Sequence, residues 1–200
     1  MATAKVASIA AASQPLSKPV HEVIIGDAMI SDAAAIAMIG ANTFTAAFGF
    51  SVPAKDLADF LKETYSVEAV EAEILNAQAT NISTFVARDE AGKVLGFVQM
   101  VRGLSDPCLH GDAVTHAELR RLYVDTTAHG RGIGSKLIAA VEDKAKAEGF
   151  SQLWLTVWEE NGSAQRLYQR LGYVKAGEAD FATGGCIQTD WVLAKSTKYI

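Results

Sequence analysis

Apolar positions along this chain follow two periods, and the switches between them mark out strands and helices. Ile133, Leu137, Ile138, Val141 and Ala145 recur at helical spacing, and Gly149 stands where a left-handed residue would close that helix. Leu153, Leu155 and Val157 then alternate with Trp154, Thr156 and Trp158 as a strand does. Ala164, Leu167, Tyr168 and Leu171 return to the helical period behind a cap at Asn161 or Ser163, and Gly172 ends the segment.

Upstream, the pattern predicts a strand at Glu22 to Ile25 and a helix from about Ser31 to Phe48. Pro53 suits the first turn of a second helix reaching about Tyr65, and a third covers Val67 to Gln78. Strands at Ser83 to Arg88 and Val94 to Val101 flank a hairpin connection at Asp89 to Lys93, and both are apolar enough to be central. Gly103 to Ala117 lacks periodicity and reads as a long loop, a place where function often sits. A strand at Glu118 to Val124 follows, and the last two strands lie near Tyr173 to Phe181 and Cys186 to Leu193. The order is mixed α/β, without internal repeats.

Between the Glu118 strand and the Ile133 helix lies His129-Gly130-Arg131-Gly132-Ile133-Gly134-Ser135. Three glycines there let the backbone turn tightly and bring successive N–H groups together at a helix N-terminus, whose dipole is positive. Such a turn suits phosphate oxygens. It is not a Walker loop, because Lys136 follows Ser135 and not a glycine, nor a dinucleotide fingerprint, which needs a third glycine where Ser135 stands.

Taken together, Val124-x4-His129-Gly130-Arg131-Gly132-Ile133-Gly134 and Asn161-x2-Ala164-x3-Tyr168-x3-Gly172-Tyr173 resemble the GNAT superfamily of acetyl-CoA-dependent N-acetyltransferases. One departure is His129, where the superfamily usually has Gln or Arg. A further resemblance, to the PaiA-like polyamine N-acetyltransferases, is carried by the Phe44 to Leu75 region, Glu118 to Val124, Trp158-Glu159-Glu160-Asn161 and Gln188-Thr189-Asp190.

The resemblance implies an α/β (α+β) GNAT fold: a mixed central sheet of about six to seven strands flanked by about four to five helices. It also implies a V-shaped split between the Glu118-Val124 and Leu153-Trp158 strands. Acetyl-CoA would be the cofactor, held by backbone groups of Leu122, Tyr123 and Val124, by the loop from His129 through Gly130, Arg131, Gly132, Ile133 and Gly134 to Ser135, and by Asn161. Tyr168 matches the tyrosine that many members use to protonate the coenzyme A thiolate; a packing role is the alternative for it, as helix capping is for Asn161.

An alkylammonium, with a pKa of ~10.4, must lose a proton before it can attack a thioester. Glu118 is the candidate base, directly or through a water, unless it pairs with Arg120 or Arg121. Glu159, Glu160, Asp106 and Asp112 are candidates to hold distal ammonium groups of a polyamine, and Trp158 and Tyr65 candidates to line its pocket. Rival readings keep the chemistry on a protein, peptide, amino acid or other small amine, or make the chain a non-catalytic acyl-CoA sensor.

Composition adds limits. Two hundred residues, half of them apolar, suffice for one sizeable core, and no linker divides them. A single domain over 21–200 is expected behind an alanine- and serine-rich flexible leader over 1–20. No apolar run approaches the ~18 residues of a membrane span, and a cytoplasmic protein is expected, with organelle import left open by the acid-free leader. A net charge of −5 argues against nucleic acid as a partner and is compatible with a cationic substrate. Cys108 and Cys186 sit in no zinc or redox pattern, so free thiols and no metal are expected. A homodimer is left open.

Overall fold

The computed structural model describes residues 22–183 and 186–200, so the leader lies outside the described residues. In chain order, β1 (Ile24–Asp27) leads into α1 (Ala33–Phe48), α2 (Ala54–Tyr65), α3 (Val67–Leu75) and the single turn α4 (Ala77–Thr80). Then come β2 (Ile82–Arg88), β3 (Val94–Arg102), β4 (His116–Val124), α5 (Ile133–Ala147), β5 (Gln152–Trp158), α6 (Gly162–Arg170), β6 (Val174–Thr183) and β7 (Cys186–Ser196). The strands form one seven-stranded sheet in the order β1-β2-β3-β4-β5-β7-β6. Every neighbouring pair is antiparallel except β4 and β5, which run parallel. This is the mixed sheet that the resemblance implies.

Both faces of the sheet are covered, which explains why β3 is buried along almost its whole length and reads as a continuous apolar run. On one face α5 buries Ile133, Leu137, Ile138, Val141 and Ala145, the positions whose spacing predicted it, in a cluster with Val98, Met100 and Leu119. Full burial of each larger side chain is worth about 2 kcal/mol. On the other face Ile36, Ile39 and Phe44 of α1 pack with Val86 and Phe97. Gly149 takes the left-handed conformation, with φ +81°, beyond the end of α5.

The differences from the expected boundaries have local causes. Ser31 lies in a 3-10 turn ahead of α1, where the Asp32 carboxylate accepts from the Met29 N–H at 2.6 Å and from Arg88 at 2.5 Å. Helix α3 stops at Leu75 because the Asn76 side chain donates to the Ala72 carbonyl at 2.7 Å and competes with the helix ladder. β1 starts two residues later than its apolar pattern suggested, since Gly26 and Asp27 pair with Val86 and Phe85. The long loop gives up His116 and Ala117 to β4; His116 is buried, with Ser105 Oγ 2.9 Å from Nδ1 and the His110 carbonyl 3.1 Å from Nε2.

Candidate active site

β4 and β5 pair only at His116–Gln152, Ala117–Leu153 and Glu118–Trp154. Beyond that point β5 stays with β7 as far as Trp158–Asp190, while β4 follows β3, and the sheet opens into a V. A bulge helps to turn β4 away. Phe97 faces Tyr123 and Gln99 faces Arg120, so Arg121 and Leu122 share the interval opposite Val98. Arg121 sits at the bulge with φ +53°, a strained conformation for a non-glycine residue. Glu73 of α3 holds its guanidinium at 3.0 Å, beside the Tyr65 ring.

Two cavities occupy the V and share a wall built from Thr43, Leu122, Tyr123, Asn161, Ala164 and Tyr168. The first, about 480 Å³, is lined by His129, Gly130 and Gly132 to Ser135. Gly130 and Gly132 have φ +76° and +73°, which non-glycine residues adopt only under strain. Gly132 caps α5 without a side chain, so the first amides of this 15-residue helix are left to the cavity. The His129 Nε2–H donates to the Val124 carbonyl at 3.0 Å, tying the start of the loop to the end of β4. Thr43, Ser163, Leu167 and Arg170 also line this cavity, and the sequence reading missed them. Arg131 is exposed and does not line it.

The second cavity, about 540 Å³, is a cleft walled by Phe44, Phe48, Phe60, Tyr65, Trp158 and Phe181. Trp158 is braced by Phe48, at 5.6 Å between ring centroids, and Phe50, at 6.0 Å. Tyr65 meets Tyr123 edge-on at 6.2 Å. Thus α1, α2, β4, β5, β6 and β7 all contribute a wall.

Tyr168 lines both cavities. It is buried, and burial holds its phenol above the ordinary tyrosine range, so it keeps its proton at neutral pH. Asn161 caps α6: its Oδ1 accepts from the Ala164 N–H and from Ser163 Oγ, both at 3.1 Å. Of the two capping residues the sequence allowed, Asn161 is therefore the one used.

The acids separate into two groups. Glu118 reaches the cleft, but Arg120 grips its carboxylate through two contacts, Nε to Oε1 at 3.1 Å and a terminal nitrogen to Oε2 at 2.5 Å. Asp190, which the sequence reading did not place in the site, lines the same cleft from β7. Glu159 and Glu160 are exposed beyond the end of β5, and neither lines the cleft. Asp106 and Asp112 line neither cavity; their carboxylates accept from the Cys108 and Val114 N–H groups, at 3.0 and 3.2 Å, and shape their own loop. Cys108 is a free thiol. Among the described residues, no group of three or more His, Cys, Asp or Glu side chains could hold a metal, and no helix is long and apolar enough to cross a membrane.

Residues 53–173 match the model of the acetyltransferase (GNAT) family. An uncharacterized N-acetyltransferase from the pepI 3′ region of Lactobacillus delbrueckii subsp. lactis is 30% identical over 158 residues, covering 79% of this chain and 88% of that protein. The spermine/spermidine N(1)-acetyltransferase of Bacillus subtilis is 36% identical over 64 residues, 32% of this chain and 42% of that protein. The PaiA N-acetyltransferase of Thermoplasma acidophilum, crystallised with coenzyme A, has the same fold. Its TM-score is 0.67 at 20% identity, over 88% of this chain and 99% of that one.

Proposed function

This chain belongs to the acetyltransferase (GNAT) family, as an N-acetyltransferase whose donor is acetyl-CoA, and we propose that its acceptor is a polyamine such as spermidine or spermine. Tyr168 carries the reading of the site: one side chain walls both the glycine-loop cavity and the aromatic cleft, so donor and acceptor would meet beside its hydroxyl.

The residues fit the donor. Uncapped amides at the start of α5, two left-handed glycines with open space where a Cβ would stand, and Arg170 at the rim together suit a pyrophosphate. The edge of β4 that β5 leaves open, from Leu122 to Val124, offers backbone groups to the pantetheine arm, and Asn161 lines the same space. When bound, acetyl-CoA supplies an activated acetyl group and a thiolate leaving group. Tyr168 is the proposed proton donor to that sulfur, a role that its raised phenol pKa suits because the proton is present until it is needed.

Two features support the acceptor class. Aromatic walls bind the methylenes of a polyamine and attract its ammonium groups, and the cleft carries carboxylates as well. The Bacillus subtilis relative is named for spermine and spermidine, and its matched segment is part of this chain. Glu159, exposed next to Trp158 at the end of β5, is the acid proposed to hold a distal ammonium.

The test is coenzyme A release from acetyl-CoA, measured with spermidine, spermine, putrescine, lysine, an aminoglycoside and a basic peptide. Preference for spermidine or spermine is the expected result. Turnover confined to lysine or the peptide would move the acceptor to a different amine, and acetyl-CoA binding without turnover on any amine would return the sensor reading.

A further inference from the structure

Glu118 and Asp190 both line the aromatic cleft, and they are held differently. Arg120 occupies both carboxylate oxygens of Glu118. Asp190 is 9% exposed, lies near the Thr156 side chain and has no cationic partner among the described residues. It stands directly across from Trp158, the aromatic residue at the tip of β5.

A second observation lies on the same strand face. Gln188, two residues before Asp190 and opposite the cleft residue Phe181, is 8% exposed, and both polar atoms of its amide are buried without a partner. A buried amide left unpaired is costly, so native structures retain few of them, and Gln188 itself lines neither cavity. A buried carboxylate lacking its cation, on an aromatic wall, makes a receptor for a cationic N–H donor. An alkylammonium is such a group.

We propose that Asp190 receives the acceptor's reacting ammonium and removes its proton. The inference rests on the amine-acceptor reading above. The step is a proton transfer: an Asp190 carboxylate oxygen takes H⁺ from the ammonium, leaving a neutral amine with its lone pair, and the resulting carboxylic acid returns the proton to water. Burial pushes the Asp190 carboxyl above its ordinary value, and Glu159 adds to the rise, against the lowering effect of the nearby Thr156 hydroxyl. That direction brings a carboxylate base nearer to neutral pH, where it works better. The other ionisable groups on the cleft are Glu118, Arg120, Arg121 and Tyr123 from β4, Tyr65 from α2 and Tyr168 from α6.

The test uses the full chain and spermidine. In wild-type protein labelled with carbon-13 at aspartate carboxyls, the Asp190 signal, assigned by its absence in Asp190→Asn, is expected to titrate above the ordinary carboxylate value. Spermidine should lower that midpoint by about one unit, the effect of a cation seated on the carboxylate; a midpoint that spermidine leaves in place overturns the proposal. In steady state, Asp190→Asn is expected to raise KM for spermidine about tenfold, to lower kcat about hundredfold and to remove the acid limb of kcat/KM, while the acetyl-CoA Kd stays within about twofold. An acid limb that persists in Asp190→Asn and vanishes in Glu118→Gln overturns the proposal and gives the base role to Glu118. Failure of the polyamine reading looks different: wild-type protein would turn over another amine of the panel and not spermidine. Asp190 would then stand or fall by the same two measurements on that amine.

Discussion

Gly40 and Tyr65 lie so close that a methyl group on Gly40 would stand 2.4 Å from Cδ1 of the tyrosine ring. The ring cannot retreat freely, because it also meets Phe44, Phe60 and Tyr123 and lies beside the Arg121 guanidinium. A helical glycine on α1 therefore fixes the depth of the cleft wall. Gly40→Ala is expected to cost about 1–3 kcal/mol in urea unfolding, the usual range for overpacking, despite the better helix propensity of alanine. Displacement of Tyr65 should also raise KM for the amine without changing the acetyl-CoA Kd. A neutral or stabilising Gly40→Ala would show that the ring has room to move.

Tyr168→Phe removes the hydroxyl of a residue that lines both cavities and leaves the packing against Tyr173, whose ring centroid is 5.7 Å away. As the proposed proton donor, Tyr168 should contribute to kcat and little to donor binding. A fall in kcat of about hundredfold with an acetyl-CoA Kd within about twofold is expected. Because burial holds the phenol above its ordinary range, the donor stays protonated across neutral pH, and the fold-loss should be constant from pH 6 to about 9. A loss that appears only at high pH would point to another donor.

Gly132 and Gly149 have nearly the same backbone conformation, φ +73° and +81°, and neither would meet a neighbour with an added Cβ. They sit at opposite ends of α5. Gly132→Ala and Gly149→Ala should therefore cost similar stability, about 1–2 kcal/mol of left-handed strain. Their effects on binding should diverge: Gly132→Ala is expected to weaken acetyl-CoA about tenfold by disturbing the amides at the helix start, and Gly149→Ala to leave Kd unchanged. Calorimetric titration with thermal unfolding separates the two effects. Equal Kd values would remove the loop from donor binding.

The glycine-loop cavity was legible because its geometry is encoded in residue type: only glycine adopts positive φ cheaply at Gly130 and Gly132, and a cap with helical spacing places Asn161 and Tyr168 on one helix. The aromatic cleft was not. Acids in the 103–115 loop looked available to a cation, yet Asp106 and Asp112 are engaged by backbone amides. Asp190 entered the sequence reading only within the Gln188-Thr189-Asp190 stretch of a strand, and a strand's sequence does not name its neighbour. Only the pairing of β7 with β5 sets it across from Trp158. The bulge at Arg121 carries no local signal either, since Glu73 and Tyr65, which hold it, come from α3 and α2.

The carboxylate proposed to take the acceptor's proton should weigh on the stability of the free protein. Burial raises the Asp190 carboxyl above its unfolded value, so the folded state holds its proton more tightly than the unfolded chain does. The sign follows by linkage: the group's contribution to stability is fully present below the unfolded carboxylate range and is lost as pH rises through the folded pKa. Asn at this position keeps the shape and carries no charge to desolvate. Asp190→Asn is therefore expected to unfold at a higher temperature than wild type at pH 8, with the gap narrowing toward pH 4. Saturating spermidine should narrow it from the other side, because a bound ammonium compensates the charge in wild type alone. Stability bought at the expense of turnover is common where a residue is kept for function. Superimposable melting curves for the two proteins at pH 8 and pH 4 would mean that Asp190 is solvated well enough to carry its charge without cost, and would remove the physical reason for singling it out as the base.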